Sequence, residues 1–393
     1  MSQRLPDRRF VLGGLGGAWA GSALAAPTRG RTLRSGRNVP MELYRESQIH
    51  LPGRVAGRNT SIWLDSGAET LVLDTAFARS LGLRLRGSEI GHAVQGSTRG
   101  FRLGAVTVET EAFSLEVKNA AAFDLSGLSA AAGRPLHAMI GKDVFDAFLV
   151  DLDVPGRTAT FLDAGAPLPA GAFDSLPLLP SRGLRGVSVR IGDSPPVESP
   201  FYLGSNGTLI VSPAWAAAQG LTVNRRTTTT PSTGIAGVTL NTEYVAPAVH
   251  VGSVTFRDVP ISVAATWSPS KRAQANIGLE LLGRFRMAVD HARDRLHLAP
   301  GPDLHRAFRK NRSGLRAQFA VDRLRVVHVS PGSPAERAGW KPGEEIVAID
   351  GAALDSGFPN SPRAYWGAGK AGTTVTLSMA DGQTRRLTLE DYF

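Results

Sequence analysis

The sequence predicts a mostly β protein made of two related halves and a smaller C-terminal α+β block, and three observations carry that expectation. Glycine at 44, proline at 25 and 20% charged residues, with Thr and Val spread through short runs, favour a turn-rich β chain over a helical bundle. An internal repeat links the stretch around Ile140-Gly141 to the stretch around Ile277-Gly278. The composition then changes after Pro302, where a short basic segment leads into a block with its own strand and turn signals. At 393 residues the chain exceeds one ordinary core and suits three domains of roughly 100 to 200 residues or less.

The repeat can be followed residue by residue. Val144, Phe145, Phe148, Val150, Leu152 and Asp153 return in register as Leu281, Leu282, Phe285, Met287, Val289 and Asp290, all displaced by one constant interval. Upstream, Leu64-Asp65-Ser66-Gly67 through Leu71-Val72-Leu73 is echoed by Leu203-Gly204-Ser205-Asn206 through Leu209-Ile210-Val211. Each echo runs into a helix-like stretch, Thr75 to Leu81 and Pro213 to Gln219, and a following glycine stops it. One half alone would leave an apolar face uncovered, so the halves should pack about a pseudo-two-fold. Residues 38–175 form the first half, 176–302 the second and 313–393 the C-terminal block. In that block Arg325 to Val329 and Gly343 to Ile349 read as strands, Ala335 to Ala338 as a short helix, and Asp381-Gly382 as a tight hairpin turn.

Residues 1–25 read as an export signal. Arg8 and Arg9 precede an uncharged stretch from Phe10 to Ala26, which ends in small residues suited to cleavage after Ala25. The arginine pair followed by Phe10-Val11-Leu12 resembles a twin-arginine signal, and places the mature chain in the periplasm or cell envelope. A membrane association is expected only if that segment stays uncleaved, because no other stretch approaches the ~18 apolar residues of a span. Net charge is +10, yet the arginines are scattered and the one dense cluster, Arg306, Arg309, Lys310 and Arg312, falls in a connecting segment, so a nucleic-acid partner is not expected. Cysteine is absent, the eight histidines show no metal-binding spacing and no Gly-x-Ser-x-Gly elbow occurs, so neither a metal nor another cofactor is implied.

Asp65-Ser66-Gly67-Ala68 has the form of a turn that delivers a carboxylate: a small hydroxyl follows the acid, and a glycine lets a substrate backbone approach. Leu64 to Thr70, then Leu71-Val72-Leu73, with Met139-Ile140-Gly141 downstream, resembles the retropepsin-like (pepsin-like) aspartic protease family. The resemblance spans Asp65 to Leu162 and more weakly a degenerate copy reaching Pro300. It implies that Asp65 activates water, that Ser66 orients the Asp65 carboxylate and that Gly67 allows close approach. It also implies a β-hairpin flap over the substrate, with its tip around Gln95 to Gly100 and with Gly96, Ser97, Thr98 and Gly100 in contact with an extended polypeptide.

Such enzymes need two carboxylates close enough to share a proton. The second copy has Gly204 where the other Asp belongs and Asn206 in place of the following glycine, with Ser205 between them. Three readings follow. Asp65 pairs with the Asp65 of another chain in a homodimer; or a carboxylate such as Asp143, Asp290 or Glu280 restores the pair; or the cleft binds peptide without cutting it, as a pseudo-protease. A solvated Asp65 without a partner should titrate near its ordinary value. Glu69 reads as a domain contact, and Asp153 and Asp290 as turn caps.

The C-terminal block carries a second resemblance. Val329-Ser330-Pro331-Gly332-Ser333-Pro334-Ala335-Glu336, with Lys341-Pro342-Gly343-Glu344-Glu345-Ile346 and Ile349-Asp350-Gly351, resembles PDZ domains of bacterial envelope proteases. That family adds a peptide terminus as a strand and holds its carboxylate on backbone amides, a role implied here for Gly314, Leu315, Arg316 and Ala317.

Overall fold

The computed structural model describes residues 30–34, 36, 38–181, 183–267 and 273–393. The export-signal reading of residues 1–25 lies outside the described residues. The chain is mostly β, with short helices at the ends of strands.

The same strand connectivity is built twice. In the first half Ala138–Ile140 runs parallel to Arg58–Leu64 and antiparallel to Val72–Asp74, which is itself parallel to Ala121–Phe123. In the second, Ala275–Gly278 runs parallel to Val197–Tyr202 and antiparallel to Leu209–Val211, which is parallel to Val254–Val263. Continuous apolar runs suit these strands because both faces are covered: Ile62, Leu64 and Ile140 are fully buried, as are Val211, Ala275 and Ile277. Helices Thr75–Ser80 and Pro213–Ala218 then start where the chain supplies caps, Asp74 accepting from the Phe77 amide and Ser212 from that of Trp215.

A sheet shared by both halves joins them. Its order is Asp174–Pro177, Arg295–Pro300, Phe285–Asp290, Phe148–Asp153, Thr158–Asp163 and Val39–Pro40. At its centre Val150 faces Val289 and Leu152 faces Met287, so each residue meets the repeat counterpart of its neighbour two positions away. Pairing of that kind is what a two-fold relation between similar surfaces produces. One continuous apolar core spans the two halves and takes in Leu304 and Phe308 of the basic connecting segment. That segment is therefore docked. Arg309 pairs with Glu46 and stacks on Tyr365, Arg312 pairs with Asp391, and Arg306 lies near Glu46 and Asp303.

Residues Leu315–Ala320, Arg323–Val329, Glu345–Ile349, Thr374–Met379 and Thr384–Thr388 form a separate sheet path with its own core around Val326, Ile346, Leu377 and Leu389. The sequence reading missed the first of these strands, whose start it treated as a loop. This block sits on both halves: Tyr365 donates to the Arg45 carbonyl at 2.6 Å, Arg316 pairs with Glu243 at 3.1 Å, and Ser330 Oγ donates to the Thr229 carbonyl at 3.0 Å. Among the described residues no helix is long and apolar enough to cross a membrane.

Candidate active site

Asp65 follows strand Arg58–Leu64, and the turn is anchored from below. The Asp65 amide donates to the Ile140 carbonyl at 2.8 Å, and the Ala68 amide closes the turn onto the Asp65 carbonyl at 2.9 Å. Gly141 lies so close that a Cβ there would stand 1.9 Å from the Asp65 carbonyl oxygen and 2.7 Å from that of Ala68. Gly278 has the equivalent place in the second half, where a Cβ would come within 2.3 Å of the Gly207 carbonyl oxygen. The Ile-Gly pairs in the sequence thus mark where one backbone passes under another.

The turns of Asp65 and Gly204 meet across the pseudo-two-fold. Ser66 is 6% exposed; its hydroxyl donates to the Phe201 carbonyl at 2.6 Å and accepts from the Leu203 amide at 3.0 Å. Its role is thus to join the two turns, and no bond to the Asp65 carboxyl is seen. Asp65 Oδ1 accepts from the Gly67 amide at 2.8 Å and from the Gly204 amide at 3.1 Å. A Cβ on Gly204 would fall 2.2 Å from Asp65 Cγ and 2.3 Å from Oδ2. The carboxyl of Asp65 therefore occupies the volume into which a side chain at position 204 would project, and a main-chain amide has replaced a second acid as its neighbour.

The expectation that Asp65 titrates near its ordinary value fails. Enclosure in the cleft raises its pKa, and the amides of Gly67 and Gly204 oppose that rise without cancelling it. The groups bonded to its carboxyl among the described residues are these two amides, and the three candidate second carboxylates are engaged elsewhere. Asp143 accepts from the Leu71 amide, Asp290 caps the Arg293 amide and pairs with its guanidinium, and Glu280 is half-buried near Arg284 and Arg309. Asp153 accepts from the Gly156 amide, the turn-capping role expected of it.

The hairpin expected as the flap consists of Arg86–Ala93 and Gly96–Arg102, with its tip at Val94 and Gln95. Gly96, Ser97, Thr98 and Gly100 therefore lie along the second strand, one to five positions past Gln95, where the flap reading had put them at the tip. Gly100 serves packing: a Cβ there would lie 2.3 Å from the Ala122 carbonyl oxygen and 2.4 Å from the Phe123 ring. A second hairpin, Thr227–Gly234 and Gly237–Val251, went unrecognised in the sequence. Its signal was present in Gly234-Ile235-Ala236-Gly237 between Thr-rich and Val-rich runs. The two tips touch. Thr239 donates to Gln95, a Cβ on Gly96 would lie 3.1 Å from Ala236 Cβ, and Ile235 packs on the apolar group of Trp63, Ala68, Val72 and Phe123 beside the Asp65 turn.

In the C-terminal block, Gly314 takes a φ of 79° beside Ser333, and the Ser313 and Gly314 amides both donate to Asn311 Oδ1 at 3.0 Å. The Leu315 amide donates to Ser313 Oγ, Arg316 pairs with Glu243, and the strand slips register between Arg316 and Ala317. These amides are engaged within the loop in this structure. Among the described residues no group of three His, Asp or Glu side chains converges as a metal site would require.

Set against known proteins, residues 51–144 match the family model described as aspartyl protease. That stretch holds Asp65, the hairpin Arg86–Ala93 and Gly96–Arg102, and Ile140-Gly141. No curated protein matches the chain. Among solved structures, the aspartic proteinase from Irpex lacteus aligns with 68% of this chain and 98% of its own at 13% identity and a TM-score of 0.43. Over residues 51–144, then, the chain is aspartyl-protease-like.

Proposed function

We propose that this protein binds extended polypeptide in the cleft over Asp65 and holds it under the two flap hairpins without hydrolysing it by a carboxylate pair. The observation that carries this reading is the Gly204 amide donating to Asp65 Oδ1, with the carboxyl seated where a second side chain would stand. Dyad hydrolysis needs one carboxylate to take a proton from water while its partner gives one to the substrate. Here a single enclosed acid can hold a proton but has no partner to exchange it with. Its Oδ1 is already committed to two amides, while Oδ2 faces no donor among the described residues. Pairing of Asp65 in trans is disfavoured, because it requires breaking the buried Ser66 bonds to Phe201 and Leu203.

The same proposal places the protein in the envelope by its N-terminal signal and gives the PDZ-like block a share in recognising the chain that enters the cleft. A quenched-fluorescence peptide set, incubated between about pH 4 and pH 7 with the protein and with Asp65→Ala, is the test. No Asp65-dependent cleavage, with peptide binding retained by both proteins, is the expected result. Cleavage by the parent that disappears in Asp65→Ala would overturn the reading and establish a single-acid hydrolase.

A further inference from the structure

Beyond the cleft, a groove of about 980 Å³ opens where the first half meets the C-terminal sheet. Arg79, Arg99 and Arg325 line it, and all three are exposed and have no ion-pair or hydrogen-bond partner among the described residues. This sets them apart from the basic connecting segment, where Arg306, Arg309 and Arg312 are paired. The two acids along the same groove are already engaged. Asp74 accepts from the Phe77 and Leu125 amides, and Asp124 from that of Ser126. Backbone amides do not cancel a carboxylate's charge, so the three unpaired guanidiniums outnumber the groove's two acids by one.

The rim carries a second, independent sign. Val321, at the turn between strands Leu315–Ala320 and Arg323–Val329, is 83% exposed and has a φ of 59°. The Asp322 amide reaches back to the Ala320 carbonyl at 2.7 Å, closing a three-residue turn of the strained hand around a β-branched residue. An apolar side chain held in solvent by a disfavoured backbone is the kind of feature that persists at contact sites. Beside it, strand Leu315–Ala320 pairs on one side only, with Arg323–Val329.

We propose that this groove is an exosite for an acidic, extended polypeptide segment, whose carboxylates meet Arg79, Arg99 and Arg325 while an aliphatic side chain meets Val321. The inference deepens the peptide-binding reading of the cleft and rests on it for biological sense: Arg99 belongs to the first flap hairpin, so a segment held here adjoins one held over Asp65. A polypeptide fits better than a nucleic acid, because the groove combines its cations with a free strand edge and an aliphatic rim.

The test is direct binding by fluorescence anisotropy, with the full chain carrying Asp65→Ala so that turnover plays no part. The probes are a fluorescein-labelled peptide of alternating Glu and Val and the matching Lys and Val peptide. The acidic probe should bind and the basic one should not, with affinity falling as salt rises. The triple variant Arg79→Ser, Arg99→Ser, Arg325→Ser should weaken the acidic probe about tenfold or more with an unchanged thermal midpoint. Val321→Gly should raise the midpoint while weakening binding, a pair of opposite changes that a purely structural valine would not show. Equal affinity in the triple variant, equal binding of the basic probe, or tighter binding of a single-stranded oligonucleotide at the same arginines would each overturn the exosite. Because these readouts do not involve cleavage, their failure is distinct from the appearance of Asp65-dependent hydrolysis, which would overturn the cleft reading alone.

Discussion

The turn at Asp65 and the turn at Gly204 share a backbone and differ in what they can do. Each rests on an Ile-Gly pair that admits no side chain, and each sits between strands of the same connectivity. The first supplies the acid, and its Ser66 supplies both bonds of the clasp between the halves; Ser205 forms no equivalent bond among the described residues. The contrast separates two kinds of constraint. Backbone crossings at van der Waals distance leave no room to vary, whereas the chemistry of the turn depends on one projecting group and can be lost while the frame stays.

The comparison can be broken in four places. The largest effect is expected at its shared element: Gly141→Ala and Gly278→Ala both drive a Cβ into backbone carbonyls, and each should cost at least ~3 kcal/mol in urea unfolding. A mild loss at either position would mean that the two turns are not held from beneath as described. Next comes the asymmetric clasp. Ser66→Ala leaves the Phe201 carbonyl and Leu203 amide buried without partners, a loss of about 2 kcal/mol, while Ser205→Ala should stay within about 0.5 kcal/mol. Similar losses from the two serines would contradict the one-sided link.

Third, Gly204→Ala should destabilise by about 1 to 2 kcal/mol through its collision with the Asp65 carboxyl. Most of that loss should return in the double variant Gly204→Ala, Asp65→Gly, so a cycle with additive energies would deny that the two positions touch. The smallest effect concerns pH. The raised pKa of Asp65 in the folded chain means that the protonated form favours folding; its contribution is full in acid, below the ordinary carboxylate value, and is lost as pH rises through the folded value. Asp65→Asn, which cannot ionise, should therefore gain in thermal midpoint over the parent toward neutral pH, and the gap should close in acid. A gap independent of pH would show that the carboxyl is not enclosed.

Local rules made much of this legible. The repeat could be read because apolar positions recur at a constant displacement, and the helices after each turn could be read because Asp74, Ser212 and Pro213 start them by local hydrogen bonding and fixed φ. The loss of the second acid was equally plain, since Gly204 stands where the repeat asks for Asp. Partner assignments were less accessible. Ser66 was expected to orient the acid, yet its nearest acceptor is a carbonyl of the other half, far along the chain. The second hairpin was hidden because a Gly-rich tip between two strands looks alike wherever it occurs, and only the meeting with Gln95 and the Trp63 group reveals what it covers.

By itself the sequence determined the strand-rich character, the doubled frame, the solitary carboxylate and the places where glycine is obligatory, because each follows from residue type, periodicity and steric room within a few positions. The tertiary structure alone decided that Asp65 is enclosed, that its neighbour is the Gly204 amide, that the connecting segment is docked and that Arg79, Arg99 and Arg325 line one groove. These properties depend on which distant surfaces meet, and the free energy of such meetings is spread over a whole core, out of reach of any short run of residues.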